Sequence, residues 1–446
     1  MKLLEDFWAA AVDVAWGVPL VILLISAGIF FTLAGKLVPF RGLRHSLDIL
    51  RGKFDRPDDP GQISHFRALS SALSATIGMG NIAGVAIAVT LGGPGAVFWM
   101  WIAGLVGMST KFFTCTLACL YRKKDVRGID QGGPMYFIEV GLGRAFKPLA
   151  IMFAVCGMVG CLALFQINQL AGLLDGYWGI NKLGTGIACG VLVGVVILGG
   201  IVRVGKVSSR IVPVMAILYV GSALYVILSN AGVVPDVIQS IVTSAFGGQA
   251  LIGGGTAVAF REVLITGVKR AAFSNEAGIG TAPMAHGAAR TKEPVREGLI
   301  AMLGPFIDTN IICTMTALVI LITGVAPQAD GVVMTVNAFE HSMPGVGKYI
   351  MTLVIILFSV STMISYSYYS RKCSRYLFGY KFGSWYVYVY ILSIPAAAVW
   401  TQDMVINMLD TAFAMMAIPT LIGTLLLSPS VMRATTDYFR RLRSGG

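Results

Sequence analysis

Residues Val268–Gly287 read V-K-R-A-A-F-S-N-E-A-G-I-G-T-A-P-M-A-H-G. The charges Lys269, Arg270 and Glu276 share this stretch with the backbone breakers Gly278, Gly280, Pro283 and Gly287, yet long apolar runs surround it. Backbone broken by Gly and Pro bares N–H and C=O groups that hydrocarbon cannot satisfy. It survives at membrane depth only where protein or a water-filled cavity encloses it. Discontinuous helices of this kind build substrate and ion sites in transporters. The alternative for this stretch taken alone is a glycine-rich re-entrant or extramembrane loop.

The composition sets the frame for that choice. Mean hydropathy is +0.77, 56% of residues are hydrophobic and 13% are charged, against about 25% charged in soluble domains. A soluble globular protein is excluded. The 446 residues, cut into apolar runs of about 20, fit one polytopic bundle of helices, a single transmembrane domain over residues 1–446. Seven cysteines show no C-x-x-C pairing, so no zinc or redox site is indicated. Six lie in apolar runs and Cys373 in a basic loop, each as a small buried hydrophobe. Glu5, Asp6 and Asp13 stand where a signal peptide would carry positive charge, so the first helix is expected to be retained.

Eleven runs qualify as spans: about 17–35, 68–91, 95–120, 148–173, 183–202, 211–229, 263–285, 298–323, 349–369, 383–400 and 406–428. Of the 34 Lys and Arg residues, 27 then fall in loops on one side, four on the other, and Lys111, Lys269 and Arg270 within helices. This asymmetry follows the positive-inside rule. It puts the N-terminus outside and the C-terminus in the cytoplasm. It also accounts for the net charge of +12 without any nucleic-acid partner.

The second run is the counterpart of the opening stretch. Ala68–Ala86 reads A-L-S-S-A-L-S-A-T-I-G-M-G-N-I-A-G-V-A. Its small residues permit close helix packing, and Gly78, Gly80 and Gly84 around Asn81 interrupt it near mid-membrane. As a phosphate loop it fails, with no Lys-Ser/Thr following. With run one set aside, the two interrupted helices are the first and sixth of ten and cross in opposite directions. An inverted five-plus-five repeat has this pattern.

Ser64–Ala86 and Gly267–Pro283 resemble the motifs of the alanine or glycine:cation symporter family. P-F-I-D-T-N-I-I-C-T (Pro305–Thr314) and Y-S-Y-Y (Tyr366–Tyr369) are similar to it as well. The likeness spans about residues 17–430. It implies an all-α, leucine-transporter-type fold: an extra helix (about 17–35), repeat one (about 68–229) and repeat two (about 263–428), with eleven transmembrane helices, two of them discontinuous. It also implies sodium-coupled uptake of a small neutral amino acid such as alanine or glycine across a prokaryotic inner membrane, with no cofactor beyond the sodium ion.

Transferred residue by residue, the resemblance implies a substrate site made of the Gly78, Met79 and Gly80 backbone, Asn81, Gln166, Phe273, Thr362 and Tyr366. A cation would sit among the carbonyls near Ser74 and Ile77 and the hydroxyls of Ser361 and Thr362. The chemistry is consistent. N–H groups at a broken helix end suit a carboxylate, glycines let backbone come close, and amide oxygens of Asn81 and Gln166 can accept from an ammonium. Each residue also has a structural reading. Asn81 can cap the outer half-helix, Gln166 can bond a neighbouring helix with Gln169 as the true contact, and Phe273 can be core packing. Ser361 and Thr362 can bond carbonyls of their own helix.

Charges inside the membrane are expensive and point to function. Arg270 and Glu276 are expected to meet across the break and latch an outer gate, or Lys269 and Arg270 to snorkel to the interface. Asp308 either anchors a broken helix or helps to hold a second cation. His45, His65, His286 and His341 show no ligand spacing, and no nucleophile–base pair appears, so an enzyme is not expected. Met79 and Tyr366 depart from the family pattern, which usually has Thr and Trp there, and this leaves the preferred amino acid open. The competing functions are the same fold with another small amino acid or with proton coupling, a substrate sensor that does not transport, and a passive channel. No ring of like charges or carbonyl filter favours the channel.

Overall fold

A computed structural model describes residues 2–56, 58–246, 256–325 and 331–444 of the chain. All eleven runs are helical, although their lengths differ from expectation. Among the described residues, six helices are long and apolar enough to cross a membrane, or eight if each of two bent pairs is one span. Lys182–Ile197 and Tyr386–Ala398 are shorter. The seventh run, 263–285, is split into Thr256–Asn275 and a five-residue helix, Ala282–His286.

The first broken helix begins at Ser64, whose hydroxyl accepts from Arg67 N–H. It runs as His65–Thr76, turns extended at Ile77 (φ −71°, ψ 98°), and resumes at a π-helical turn, Gly80–Gly84, leading into Val85–Gly92. The two halves meet at 51°. In the second broken helix the gap is held open by three left-handed residues, Glu276 (φ 55°), Gly278 (φ 89°) and Gly280 (φ 99°). Pro283 then starts the short helix, where its missing N–H costs nothing.

The two gaps are neighbours. A Cβ placed on Gly80 would lie 3.1 Å from Ser274 Cα and 3.4 Å from Phe273 Cδ1, a tight fit that the absence of a side chain relieves. A third interruption was not foreseen: Phe306–Cys313 is a π-helical segment. π-Bulges recur at functional sites, and this one turns Asp308 towards the gaps.

Two stretches expected as loops are helix. Residues 203–210 lie within Gly200–Ser229, and 370–382 continue the long helix Gly347–Ser384, kinked at Gly379 (φ 75°). Cys373 is therefore a buried helical residue and not a loop residue. Both segments lie partly inside the protein: Ser370–Ser374 and Ser208 are buried. All seven cysteines are free.

Ahead of the extra helix Val18–Ala34 lies another, Lys2–Ala15, bent from it by 46° as measured from Leu4. Trp16 at the bend donates from its indole to the Asp410 carbonyl (2.8 Å), tying the N-terminal pair to the terminal helix Gln402–Arg443.

Gly280→Ala tests the rigidity of the second gap. The methyl group would meet the Thr420 hydroxyl, Phe153 at 2.7 Å and Pro134 at 2.8 Å, on a backbone already left-handed. A loss of about 2 kcal/mol or more is expected, read as a clearly lower thermal unfolding midpoint for the purified variant.

Candidate functional site

Asp308 is the centre of the site. Its carboxylate is fully buried and accepts from Asn81 Nδ2 (2.8 Å), Ser274 Oγ (2.7 Å) and Thr309 Oγ1 (2.9 Å). Asn81 belongs to the first broken helix and Ser274 to the second, so one carboxylate links both. Asn81 also donates to the Asp308 carbonyl (3.1 Å), and its Oδ1 accepts from Gly78 N–H (2.8 Å). Asn81 thus spans the gap behind it and does not cap the outer half-helix. Its own carbonyl takes a bond from Thr316 (2.7 Å). Lys111, also buried, interacts electrostatically with Glu276 and Asp308. These three groups sum to one negative charge when all are ionised.

The expected cation residues come together between the first broken helix and the long helix. Thr362 Oγ1 donates to the Ser74 carbonyl (3.0 Å), and Ser74 Oγ donates to the Ser361 carbonyl (2.9 Å). Ser361 Oγ bonds the Phe358 carbonyl of its own helix (3.0 Å). Gly78 is needed here, since a Cβ would strike the Thr362 hydroxyl at 2.5 Å. Ile77 closes the half-helix His65–Thr76 with its N–H on the Leu73 carbonyl. The site is rich in neutral oxygens, the donor set that suits a monovalent cation.

Gln166 and Gln169, on helix Leu164–Trp178, are both buried, and each has an Oε1 with no partner. Orphaned buried acceptors are uncommon in folded proteins. Beside Gln166, Phe165 packs edge-on against Phe273 (5.1 Å between centroids), and Phe273 leans on Phe413 (5.5 Å). Tyr366, buried, donates its hydroxyl to Glu276, which also accepts from Thr281. Where the family pattern has Trp, this chain thus has a hydroxyl, and that hydroxyl is engaged by Glu276. Met79 is fully buried.

The expected Arg270–Glu276 latch is not formed. Arg270 Nη2 and Lys269 Nζ both reach Asp410 Oδ2, at 2.5 and 2.7 Å, on the terminal helix. Arg270 also lies over the Phe273 ring (5.5 Å). The gap swings Glu276 towards Tyr366, away from the face that holds Arg270. Asp410 was missed because it sits alone in an apolar run, and its partners are about 140 residues earlier.

The histidines were also underread. His65 starts the first broken helix and His286 ends the second, and both bond the buried carboxylate of Glu297: His65 Nδ1 to Oε1, His286 Nδ1 to Oε2 at 2.6 Å. A parallel bridge Ile63–Ala289 runs beside them, and Arg122 Nη2 binds the Ala289 carbonyl at 2.5 Å. Among the described residues no cluster of His, Cys, Asp and Glu could hold a metal ion.

Two broken helices meeting at a buried, part-satisfied polar cluster fit a membrane transporter of the leucine-transporter type. MhsT, crystallised with L-phenylalanine, shares this fold: TM-score 0.62 at 12% identity, covering 85% of this chain and 93% of MhsT. The family model described as the sodium:alanine symporter family matches residues 1–446. The chain is similar to the sodium/alanine symporter AgcS of Methanococcus maripaludis, 40% identical over 96% of this chain and 95% of that one. It is similar as well to a probable sodium/glutamine symporter, GlnT of Bacillus subtilis, 35% identical over 100% and 92%. The chain belongs to the sodium:alanine symporter family; it is a multi-pass membrane transporter and not an enzyme.

Asn81→Ala removes donors from Asp308 and the acceptor of Gly78 N–H. Leaving such groups buried and unpaired costs about 1–3 kcal/mol, so a measurably lower unfolding midpoint is expected. Binding of the amino-acid substrate, followed by isothermal calorimetry, should be lost.

Proposed function

We propose that this protein couples inward sodium movement to uptake of a small neutral amino acid, alanine or glycine, by alternating access across a prokaryotic inner membrane. The observation that carries the reading is the juxtaposition of the two helix gaps at Gly80 and Ser274, with Phe165, the neighbour of the orphaned Gln166, packed on Phe273 of the second broken helix. A desolvated ammonium needs such an acceptor, and a buried acceptor without a donor needs such a ligand. The amino acid would lie among Gly78, Met79, Gly80, Asn81, Gln166, Phe273, Thr362 and Tyr366, its carboxylate towards backbone N–H of the first gap. Phe165, Phe273 and Phe413 would limit its side chain, which favours a small one.

Sodium would be held by carbonyls of Ser74 and Ile77 with Ser361 and Thr362. Thr362 Oγ1 and the Ser74 carbonyl are already 3.0 Å apart, so a cation would replace the hydrogen bond between them. Asp308 is foremost an anchor. The surplus negative charge it shares with Glu276 and Lys111 would favour a second cation nearby. Arg270 with Asp410 would form the outer closure in place of Arg270 with Glu276. The two repeats, about 68–229 and about 263–428, would rock against each other around this centre. The side rich in Lys and Arg would be cytoplasmic, with the N-terminus outside.

Purified protein in liposomes should concentrate labelled alanine or glycine only under an inward sodium gradient. Uptake driven equally by a proton gradient would move the coupling to protons. Equilibration without accumulation would indicate a channel, and binding without uptake a sensor. Ser361→Ala with Thr362→Ala should raise the sodium concentration for half-maximal uptake about tenfold, a larger change than in the affinity for the amino acid, where Thr362 also takes part. Tyr366→Trp should narrow the competition profile of amino acids, because the larger ring takes space and leaves Glu276 without one donor.

A further inference from the structure

A cavity of about 800 Å³ opens on the side rich in basic residues, between the loop at 123–131, the start of helix Gly200–Ser229 and the end of the long helix. Seven Lys and Arg side chains line it against two acids. The two acids are in use: Glu139 lies 3.7 Å from Lys123, and Asp125 bonds Arg127 at 3.0 Å. Arg371 is different. It is 7% exposed, its Nε is buried without a partner, and its one hydrogen bond is a long contact from Nη1 to the Ile197 carbonyl (3.4 Å). Among the described residues no carboxylate lies within ion-pair distance of it. Lys372 beside it is also buried and bonds only neutral groups, the Met284 carbonyl (2.9 Å) and the Tyr368 hydroxyl (3.2 Å).

A guanidinium stays protonated at any physiological pH. Burying it unpaired is expensive, so buried charges are normally paired. Here the missing partner has a cavity to occupy. We propose that this cavity is an anion site, in which Arg371, supported by Lys372, takes a small oxyanion, a carboxylate or phosphate group. Arginine suits both, because its planar fork offers two parallel donors. Tyr366 of the central site is five residues back on the same helix, about one and a half turns away, and the Tyr366, Tyr369 and Tyr368 rings follow one another at 6.1 and 6.2 Å. Met284, which bonds Lys372, belongs to the short half, Ala282–His286, of the second broken helix. The oxyanion therefore comes from one of two sources: the carboxylate of an amino acid leaving the central site, which rests on the transport reading, or free phosphate of the adjoining solution, which does not.

The test uses the full chain in lipid nanodiscs, with saturation-transfer NMR for acetate and ³¹P line width for inorganic phosphate at fixed sodium. Wild type should bind acetate, with phosphate competing. Arg371→Gln should bind it about tenfold more weakly or not at all, while Asn81→Ala keeps it. Arg371→Lys, which preserves charge and covers the case of a glutamine variant that does not fold, should fall between. The unfolding midpoint of wild type, but not of Arg371→Gln, should rise with acetate or phosphate. Competition by L-alanine in the Asn81→Ala protein assigns the site to the departing substrate; competition by phosphate alone assigns it to the solution anion. Acetate binding that is absent in wild type, or undiminished in Arg371→Gln or Arg371→Lys, overturns the proposal. Because binding is read without transport, failed sodium-driven uptake would leave this result standing, and the reverse holds too.

Discussion

Peptide groups freed from a helix inside a membrane must find partners within the protein, since lipid offers none. In this chain side chains meet that demand: Asn81 Oδ1 takes the Gly78 N–H, Asn275 Oδ1 the Ala277 N–H, and the Thr362 and Thr420 hydroxyls bond the Ser74 and Ile279 carbonyls. Asp308 takes donors from Asn81 and Ser274, one on each broken helix, and Asn81 uses both ends of its amide, one on Gly78 N–H and one on Asp308. Through Asp308 the two broken helices are tied together at one point. That point also fixes the gaps at one depth, side by side, with Gly80 against Ser274. The hydroxyl–carbonyl contacts of Ser74, Ser361 and Thr362 then follow from packing the half-helix His65–Thr76 on the long helix.

Ionised groups are distributed around this centre by the same logic. Towards the side poor in basic loops, Asp410 collects Lys269 and Arg270, and Trp16 holds its backbone. Towards the other side, Glu297 is shared by two imidazoles. Arg371 stands apart, a permanent cation with no acid within ion-pair distance among the described residues, and with Lys372 it lines the cavity on that side.

What could be read in the chain was what local sequence controls. Gly78, Gly80, Gly278 and Gly280 announce broken backbone because glycine is cheap there and little else is. The small residues from Ser70 to Ala75 announce close packing, and the alternation of basic loops orders the spans. Partners were not readable, because they depend on distances across the fold. Arg270 and Glu276, six residues apart, looked like a pair, but a left-handed turn at Glu276 sends them to different helices. His65 and His286 looked unrelated at 221 residues' separation, yet one carboxylate holds both. The π-helical segment at Phe306–Cys313 had no signal of its own. Its Ile, Thr, Asn and Asp residues are weak helix formers, but that composition does not tell a π-helical turn from an α-helical one.

The basic-side ends of the two broken helices are not independent arms. Gln62 N–H donates to the Ala288 carbonyl and Arg290 N–H to the Ile63 carbonyl, and Glu297 bridges His65 and His286. Mechanically the two stubs are welded into one leaf, with pivots where the backbone already departs from helix, at Ile77 and at Gly278 to Gly280. Any swing of this leaf must carry both stubs together, and it must shear either the imidazole–carboxylate clasp from helix Pro294–Ala301 or that helix from its neighbours.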